Sequence, residues 1–294
     1  MTHHQSTILS PVPAQACFLT FDLNPEAKPR DIISRLGDID IENTIVGIGS
    51  PLLDSIGCSI AGMSPLTQRC HNNITLVSTP RALWCYLQGE DRGELFHRLR
   101  RIINQLAPHL VFHACTDGFQ YAEGRDLTGY EDGTENPEGE KALETAFLSS
   151  SDPDLDGSSF VVVQKWLHDF NQFEALSPAA QDDKIGRHRA DNQEFDQAPE
   201  SAHVKRTSQE SFDPEAYLLR RSLPWAEGPQ SGLMFVAFAH SFYPFETQIK
   251  RMLGEQDGIV DGLFQFTRPV DGAYYWCPPV RQGRLNLRAL SAIS

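Results

Sequence analysis

A repeated order of strand-like and helical segments constrains the fold of this chain more than any other feature. Four apolar runs have the length and composition of buried strands, and each is followed by a segment with helical periodicity. In the last helical segment, Phe245, Ile249 and Met252 recur at the spacing of one helix face. The strand-like runs lie at 16–21, 83–87, 159–164 and 232–238, and the helical segments lie at 29–36, 94–106, 170–176 and 243–253.

This order predicts an α+β protein made of two βαββαβ units. In such a unit the helices pack on one face of an antiparallel sheet. A chain of 294 residues can bury a substantial core and suits two units of this size. We expect an N-terminal domain over residues 1–120 and a C-terminal domain over residues 121–294. The polar stretch 124–158 is predicted to be loop. The stretch 181–200, where nine of twenty residues are charged, is predicted to be mostly a solvated face or an excursion.

Charge and cysteine content exclude several classes of protein. The net charge of −14, from 25 basic and 39 acidic residues, argues against a nucleic-acid partner and against an anionic membrane surface. No apolar run is long enough to span a membrane, and the N-terminus lacks the pattern of a secretory signal. The six cysteines form no CxxC pair, so free thiols in a reducing cytoplasm are expected.

The segment at 129–137 places one acid between two glycines and ends in Asn-Pro. Gly129 and Gly133 permit backbone angles that other residues avoid, and Asn136 before Pro137 favours an extended or turn conformation. Asp132 is therefore predicted to lie on a tight, irregular loop, from which its carboxylate can point into a cavity. An ordinary surface turn is the alternative, because Asp-Gly is common in turns.

This segment, GxxDG followed by Asn-Pro, resembles the signature of the dye-decolourising peroxidases, a family of haem enzymes. Further segments match the family in the same order, and the similarity covers most of 118–280. The chain looks most like the compact bacterial branch of the family. The matching segments are 160–166, 185–187, 201–206, 219–224, 266–269 and 272–275.

The resemblance implies a fold, an activity and a cofactor. The fold would be two ferredoxin-like domains of the dimeric α/β-barrel superfamily type, and the second domain would hold most of the haem. The activity would be reduction of hydrogen peroxide and oxidation of dyes, phenols or other bulky one-electron donors. The chain has no CxxCH motif, so the cofactor would be haem b bound without a covalent link. Of the ten histidines, only His203 matches the position of the axial iron ligand.

The open face of the haem needs a group that moves a proton and a group that carries positive charge. The resemblance assigns these roles to Asp132 and Arg220. Arg220 cannot serve as a base, because a guanidinium stays protonated. Neighbouring strand residues point to opposite faces, so only one of Arg220 and Arg221 can face the haem.

Three further residues follow from the resemblance. Ser222 would line the pocket on the open face, where some relatives carry Asn. Arg187 would pair with a haem propionate, for which its fork geometry is suited. Asp261 would accept a hydrogen bond from the non-ligating nitrogen of His203, which would make the imidazole a stronger donor. The alternative for Asp261 is an ordinary acid at a helix end or in a loop.

Two other functions stay open at this stage. One is a haem-handling protein (a carrier, a store or an iron-releasing protein) with little peroxidase turnover. The other is a ferredoxin-like interaction module without haem. A homo-oligomer is expected from the resemblance. The run 284–291 resembles tails that dock such peroxidases inside protein nanocompartments, although a last strand is the alternative.

Electrons from bulky donors could reach the haem through aromatic side chains near the surface. Core packing is the alternative for each of them. The candidates are Trp84, Trp166, Trp225, Trp276, Tyr274 and Tyr275.

Overall fold

A computed structural model describes residues 3–290 of the chain. The first half carries the elements that the apolar periodicity predicted, with one short helix and one short hairpin inserted before the third main strand. Its elements are β1 (Gln15–Leu23), α1 (Pro29–Gly37), β2 (Thr44–Gly49), α2 (Ser50–Ser55), β3 (Arg69–His71), β4 (Ile74–Leu76), β5 (Leu83–Gly89), α3 (Arg92–Leu106) and β6 (Leu110–Phe119).

The second half repeats this order with a longer excursion after its first main strand. That excursion contains three short helices and later forms one wall of a cavity. The elements are α4 (Gly139–Ala146), β7 (Ser159–His168), α5 (Phe170–Glu174), α6 (Pro178–Ile185), α7 (His203–Arg206), β8 (Leu219–Arg220), β9 (Leu223–Glu227), β10 (Gln230–Ala239), α8 (Tyr243–Met252), β11 (Thr267–Cys277), β12 (Val280–Arg281) and β13 (Arg284–Leu285).

The main strands of the two halves have the same spatial order. In the first half the order is β2-β5-β1-β6, and in the second it is β9-β10-β7-β11. If the four strands of each half are numbered along the chain, both orders read 2-3-1-4, which is the ferredoxin-like arrangement. All registered pairs are antiparallel. The prediction of an α+β fold with two ferredoxin-like units is confirmed.

The two sheets join at both edges and so form one closed ring of strands. β6 meets β9 at the pair Gly118 and Trp225, and β11 meets β2 at the pairs Tyr275–Gly49 and Trp276–Ile48. The two joints pair part of each sheet edge, and unpaired edges are otherwise sites of aggregation. A domain boundary at 120/121 falls just after β6 and stays a proposal, since hydrogen bonds cross between the halves.

Alternation along the strands separates two apolar clusters. On β7, Val161 and Val163 face the interior of the ring, where Trp84, Trp225 and Tyr275 are buried. The neighbouring residues of β7 face outward and pack under the helices. Burying one large apolar side chain contributes about 1.5–3 kcal/mol, so both clusters stabilise the closed ring.

The prediction of loop over 124–158 was wrong in part. The stretch 124–158 contains α4, whose Ala142 and Ala146 pack into the interior cluster. The stretch 181–200 begins inside α6, which Ser177 caps and which ends at Gly186 with a φ of +91°. A buried face stabilises α4, and the caps at its two ends stabilise α6, although the composition of both stretches is polar.

The C-terminal run 284–290 packs against the body of the protein. Leu285, Leu287 and Leu290 are buried in the outer cluster, next to α1. Residue 291, the last of the tail considered above, lies outside the described residues. Within residues 3–290, no helix combines the length and the apolar character needed to cross a membrane.

Candidate functional site

A cavity of about 950 Å³, partly open to solvent, lies between the outer face of the second sheet and helices α7 and α8. Alternate residues of β7 (Gln164, Trp166 and His168) form its floor, because side chains two apart share one face of a strand. The other walls are largely apolar. They include Leu218, Leu233, Phe235, Phe245, Ile249, Met252, Leu263 and Phe266.

His203 lines this cavity from the first position of α7. Its Nδ1 lies 2.8 Å from Oδ2 of Asp261, whose side chain is completely buried. An ionised carboxylate can only accept a hydrogen bond, so Nδ1 donates, and in a neutral imidazole with that tautomer Nε2 carries the lone pair. This Nε2 has no hydrogen-bond partner within residues 3–290 and is the ring nitrogen available to a ligand in the cavity.

Asp261 does two things at once. Its Oδ2 accepts from His203, and its Oδ1 accepts from the backbone N–H of Leu263 at 2.8 Å, which caps the 3-10 turn Gly262–Gln265. The two alternatives from the sequence, a partner of His203 and a helix-end acid, are therefore both present. The cap holds the carboxylate in place and so fixes the orientation of the imidazole.

Asp132 and Arg220 lie together on the same cavity. Arg220 Nη1 is 3.6 Å from Asp132 Oδ1, and the two side chains are about one fifth exposed. Both also line a second, more polar cavity of about 770 Å³, which His203 shares. The sequence placed these three residues far apart in the chain, and the fold brings them to one space.

The loop that carries Asp132 has the irregular form that the sequence predicted. Gly133 adopts a φ of +77°, and a Cβ atom there would lie 2.9 Å from Nδ2 of Asn136. A glycine is therefore needed for the chain to turn back at this point. The backbone N–H of Asp132 donates to the carbonyl of Gly124 at 3.1 Å, which ties the loop to its own start.

Asn136 connects this loop to Arg220, a role that sequence reasoning missed. Its Nδ2 donates to the carbonyl of Arg220 at 3.0 Å, and its Oδ1 accepts from the N–H of Arg220 at 2.7 Å. The side chain thus takes the place of a neighbouring strand beside β8. Sequence analysis used Asn136 only as part of a turn signal, because an Asn-Pro pair says nothing about a partner far along the chain.

Arg221 points away from this space. Its guanidinium donates to the backbone carbonyls of Ile8 at 3.0 Å and Leu9 at 3.2 Å. Arg220 is thus the one of the two that faces the cavity.

Arg187 and Ser222 lie at the margins of the site. Arg187 lines the second cavity, where its guanidinium bonds the carboxylates of Glu135 at 2.7 Å and Glu194. Ser222 is buried, accepts a hydrogen bond from the N–H of Val236 at 3.3 Å, and lines a smaller cavity of about 390 Å³ beyond Asp132 and Arg220. Neither residue lines the main cavity, whereas Asp132 and Arg220 do.

A second imidazole–carboxylate pair lines the main cavity, and the sequence gave no signal for it. His168 Nε2 lies 3.0 Å from Oδ2 of Asp126, and His168 Nδ1 lies 2.7 Å from Oγ1 of Thr267. Burial acts to raise the pKa of Asp126. The hydrogen bond and charge of His168, together with hydrogen bonds from Thr128, outweigh it and hold that pKa below its usual range. This pair fastens the start of the Asp132 loop to β7.

These features fit a flat, mostly apolar cofactor with a metal centre. A neutral imidazole with a hydrogen-bonded Nδ1 is a ligand that haem iron takes in many proteins. Apolar walls suit a porphyrin ring, and Asp132 with Arg220 supplies a polar group at the edge of the same cavity. The residues present therefore fit haem.

Comparison with known proteins agrees with this geometry. Residues 123–282 match the family model described as Dyp-type peroxidase, C-terminal. A dye-decolorizing peroxidase of Mycolicibacterium paratuberculosis is 30% identical over 246 residues, covering 81% of this chain and 70% of that protein. The dye-decolorizing peroxidase of Brevibacterium linens is 26% identical and covers 92% of this chain and 79% of its own length.

Solved structures give the same result over nearly the whole fold. A putative dyp-type peroxidase protein from Shewanella oneidensis superposes with a TM-score of 0.89 at 25% identity, covering 100% of this chain and 99% of that one. A variant of DypB from Rhodococcus jostii RHA1, solved in complex with heme, superposes with a TM-score of 0.86 at 26% identity, covering 92% and 94%. The chain belongs to the Dyp-type peroxidase family.

Proposed function

We propose that the protein is a haem-dependent peroxidase that reduces hydrogen peroxide and oxidises dyes, phenols or other bulky one-electron donors. The observation that carries this proposal is the convergence of two side-chain pairs on one cavity. The pair His203–Asp261 offers an imidazole nitrogen, and the pair Asp132–Arg220 offers a carboxylate and a fixed positive charge. Membership of the Dyp-type peroxidase family and the heme complexes of Rhodococcus DypB support it.

The cofactor would be haem b, held without a covalent bond. His203 would bind the iron through Nε2, and the apolar walls would cover the porphyrin ring. When bound, haem supplies an iron centre that gives two electrons to peroxide and takes them back one at a time from the donors. Arg187 would pair with a propionate beside Glu135 and Glu194, the carboxylates that its guanidinium bonds.

Asp132 would move the proton that peroxide cleavage requires. Its carboxylate can accept a proton from one peroxide oxygen and return it to the other, which leaves as water. General acid–base catalysis of this kind contributes typically about 100- to 10,000-fold. The loop anchored at Gly124 and Asn136 holds this carboxylate beside the cavity.

Arg220 would stabilise the negative charge that develops on the leaving oxygen. Its guanidinium stays protonated at all relevant pH values and can donate hydrogen bonds into the cavity. Loss of a preorganised donor of this kind costs typically about 100- to 1000-fold. Asn136 fixes the backbone of Arg220 on both its N–H and its carbonyl, so this charge needs little rearrangement.

Asp261 would hold the iron ligand His203 in place, and Ser222 would offer a hydroxyl to the smaller cavity. The carboxylate of Asp261 would strengthen His203 as an electron donor because it accepts a hydrogen bond from the Nδ1–H group. Ser222 lines a space that continues from Asp132 and Arg220, where it can hydrogen-bond water or peroxide.

Trp166 is our candidate for electron entry from bulky donors. Among the tryptophans in residues 3–290, it is the one that lines the main cavity. Its carbonyl accepts from the indole N–H of Trp225 at 3.0 Å, and Lys165 lies over the ring of Trp225. Trp166 is itself buried, but Trp84, Trp276, Tyr274 and Tyr275 do not line the main cavity, and core packing accounts for them.

We also propose self-association through β6. This strand pairs with β9 only at Gly118, so most of its outer edge is open, and Val111, Phe112 and the nearby Phe96 are at least one third exposed. Open apolar edges favour pairing with another chain. Sedimentation showing only monomer at micromolar concentration would contradict this.

Two further proposals concern where the protein acts. The six cysteines form no disulfide in the structure, which fits a cytoplasmic protein. A docking role in a nanocompartment would have to fall to residues after 290, because Leu285, Leu287 and Leu290 are buried.

An absorption spectrum with steady-state peroxide turnover tests the proposed function. The purified protein should show the haem Soret band and should oxidise a dye with peroxide. His203→Ala should lose most of its haem, whereas His97→Ala, which changes an exposed histidine on α3, should keep it. Haem binding with negligible turnover would favour a haem-handling protein. Absence of a Soret band after expression with ample haem would favour an interaction module.

A further inference from the structure

We propose that Cys17, Cys115 and Asp117 form a binding site for a soft divalent cation such as Zn²⁺, in the half of the protein that lacks the main cavity. The two Sγ atoms and a carboxylate oxygen all lie within 4.8 Å of one another. Cys17 on β1 is directly opposite Asp117 on β6, and Cys115 precedes Asp117 by two residues. All three side chains therefore share one face of the sheet.

The distances between these atoms are close to those of a zinc site. Asp117 Oδ1 lies 3.3 Å from Cys17 Sγ and 3.7 Å from Cys115 Sγ. A tetrahedral Zn²⁺ with Zn–S of about 2.3 Å and Zn–O of about 2.1 Å holds its sulfur and oxygen ligands about 3.6 Å apart. The three ligands thus need only small shifts to bind, and a water can take the fourth position because Asp117 is about half exposed.

Arg92 orients the carboxylate for this role. Its Nη2 and Nε donate to Oδ2 of Asp117 at 2.6 and 3.2 Å, so Oδ1 is the oxygen that faces the two thiols. Partners of this kind fix the geometry of metal ligands. The charges also balance, since two thiolates and one carboxylate match a divalent cation and the guanidinium of Arg92.

A cysteine binds a cation as the thiolate. Binding would therefore release protons, as it does for other cysteine sites. Two sulfur ligands favour Zn²⁺ or Cd²⁺ over Mg²⁺ and Ca²⁺, which prefer oxygen.

A disulfide between the two cysteines fits the strand register less well. Leu19 is opposite Cys115, and Asp117 is opposite Cys17, so the cysteines are diagonal neighbours. Diagonal positions on antiparallel strands are about 7–8 Å apart, whereas disulfides need Cα atoms about 4.4–6.8 Å apart. A bound cation would link β1 to β6 beside Gly118, where the two halves of the protein join.

Calorimetric titration of the reduced, haem-loaded protein with Zn²⁺, after removal of metal by a chelator, tests the proposal. We expect one tight Zn²⁺ per chain, with proton release that appears as a dependence of the heat on the buffer. Cys115→Ser and Asp117→Asn should each weaken binding at least about 10-fold. Cys17 is buried, so these two variants carry the test if Cys17→Ser folds poorly.

Cys70→Ser is the matched control, because Cys70 is an exposed cysteine outside the cluster. It should bind Zn²⁺ as the parent does. No tight Zn²⁺ in the parent, or equal affinity in the parent, Cys115→Ser and Asp117→Asn, would overturn the proposal. Peroxide turnover is not a readout here, so the outcome is independent of the proposed activity.

Discussion

At the scale of single residues, the site depends on which atom each polar side chain uses. Asp261 accepts from Nδ1 of His203 and so leaves Nε2 free, while Asn136 bonds only the backbone of Arg220, whose guanidinium pairs with Asp132. The supporting residues occupy the atoms that the chemistry does not need. The reacting groups then require little reorganisation, which is the main source of electrostatic catalysis.

Substitutions of Arg220 and Asp132 should change the rate of reaction with peroxide with different dependence on pH. Arg220→Leu should slow the reaction with peroxide by about 100- to 1000-fold at every pH, because it removes a fixed charge. Asp132→Asn should mainly change the shape of the pH profile, because it removes a titrating group. Stopped-flow mixing with peroxide from pH 4 to 8 measures both. Arg268→Leu, on an exposed position of β11, is the control, and parent-like rates in both site variants would refute the assignment.

The sequence named several candidate site residues but not the side chains that surround them. Asp132, His203, Arg220 and Asp261 followed from the resemblance, and the fold places each pair in contact. Asn136 and the pair His168–Asp126 did not follow, because their partners lie 84 and 42 residues away and leave no local pattern. An asparagine that bonds a distant backbone, as Asn136 does, looks the same in the sequence as an asparagine in a turn.

At the scale of elements, the Asp132 loop is held by side chains more than by its own backbone. Asn136 fastens one end to β8, and Asp126 with His168 fastens the other end to β7. Sequence periodicity found β7, β10 and α8, since each has an apolar face of several residues. It could not find β8, a strand of two residues that exists because β10 and Asn136 flank it.

Removing the Asn136 side chain should uncouple the loop from Arg220. Asn136→Ala loses two hydrogen bonds to a partly buried backbone, so we expect a loss of about 1–3 kcal/mol in the free energy of unfolding. The rate of reaction with peroxide should also fall, because Arg220 loses its fixed position. Urea unfolding and stopped-flow kinetics measure the two effects. Asn171→Ala, at an exposed position of α5, should change neither, and a parent-like rate in Asn136→Ala would contradict the role.

The pair Asp126–His168 should make stability depend on pH in a defined direction. The folded-state pKa of Asp126 is lowered, so its contribution is complete above the unfolded pKa of about 3.9 and is lost as pH falls through the lower folded value. Asp126→Asn should therefore be less stable than the parent at pH 6, by about 1.5–3 kcal/mol, and the difference should shrink below about pH 4.

Urea unfolding at several pH values measures this difference. Asp54→Asn, which changes an exposed acid on α2, should give a curve parallel to that of the parent. A difference between Asp126→Asn and the parent that stays constant from pH 6 to pH 3 would rule out the ionised carboxylate as its source.

At the scale of the whole molecule, the two ferredoxin-like halves complete each other. The fourth strand of each half pairs with the second strand of the other half. Each sheet is therefore joined to the other at both of its edges. Sequence periodicity predicted two antiparallel sheets but not their joining, because hydrogen bonds between backbones carry no residue signature. Each joint does contain a glycine, Gly118 at one and Gly49 at the other.

The closed ring should unfold as one unit. A Cβ atom at Gly118 would lie 2.7 Å from the ring of Phe18 and 3.2 Å from Cβ of Leu223, so Gly118→Ala forces the joint between β6 and β9 apart. Such overpacking costs about 1–3 kcal/mol. Because the sheet is continuous, we expect the urea midpoint of both halves to fall together.

Hydrogen exchange along a urea gradient, read on peptides from β1 and β10 of the haem-free protein, measures each half separately and avoids the linkage to haem. Gly37→Ala is the control, since a Cβ there meets only Leu287 at 4.0 Å. Separate midpoints for β1 and β10 in Gly118→Ala would mean that the halves are independent domains and that the ring does not unfold cooperatively.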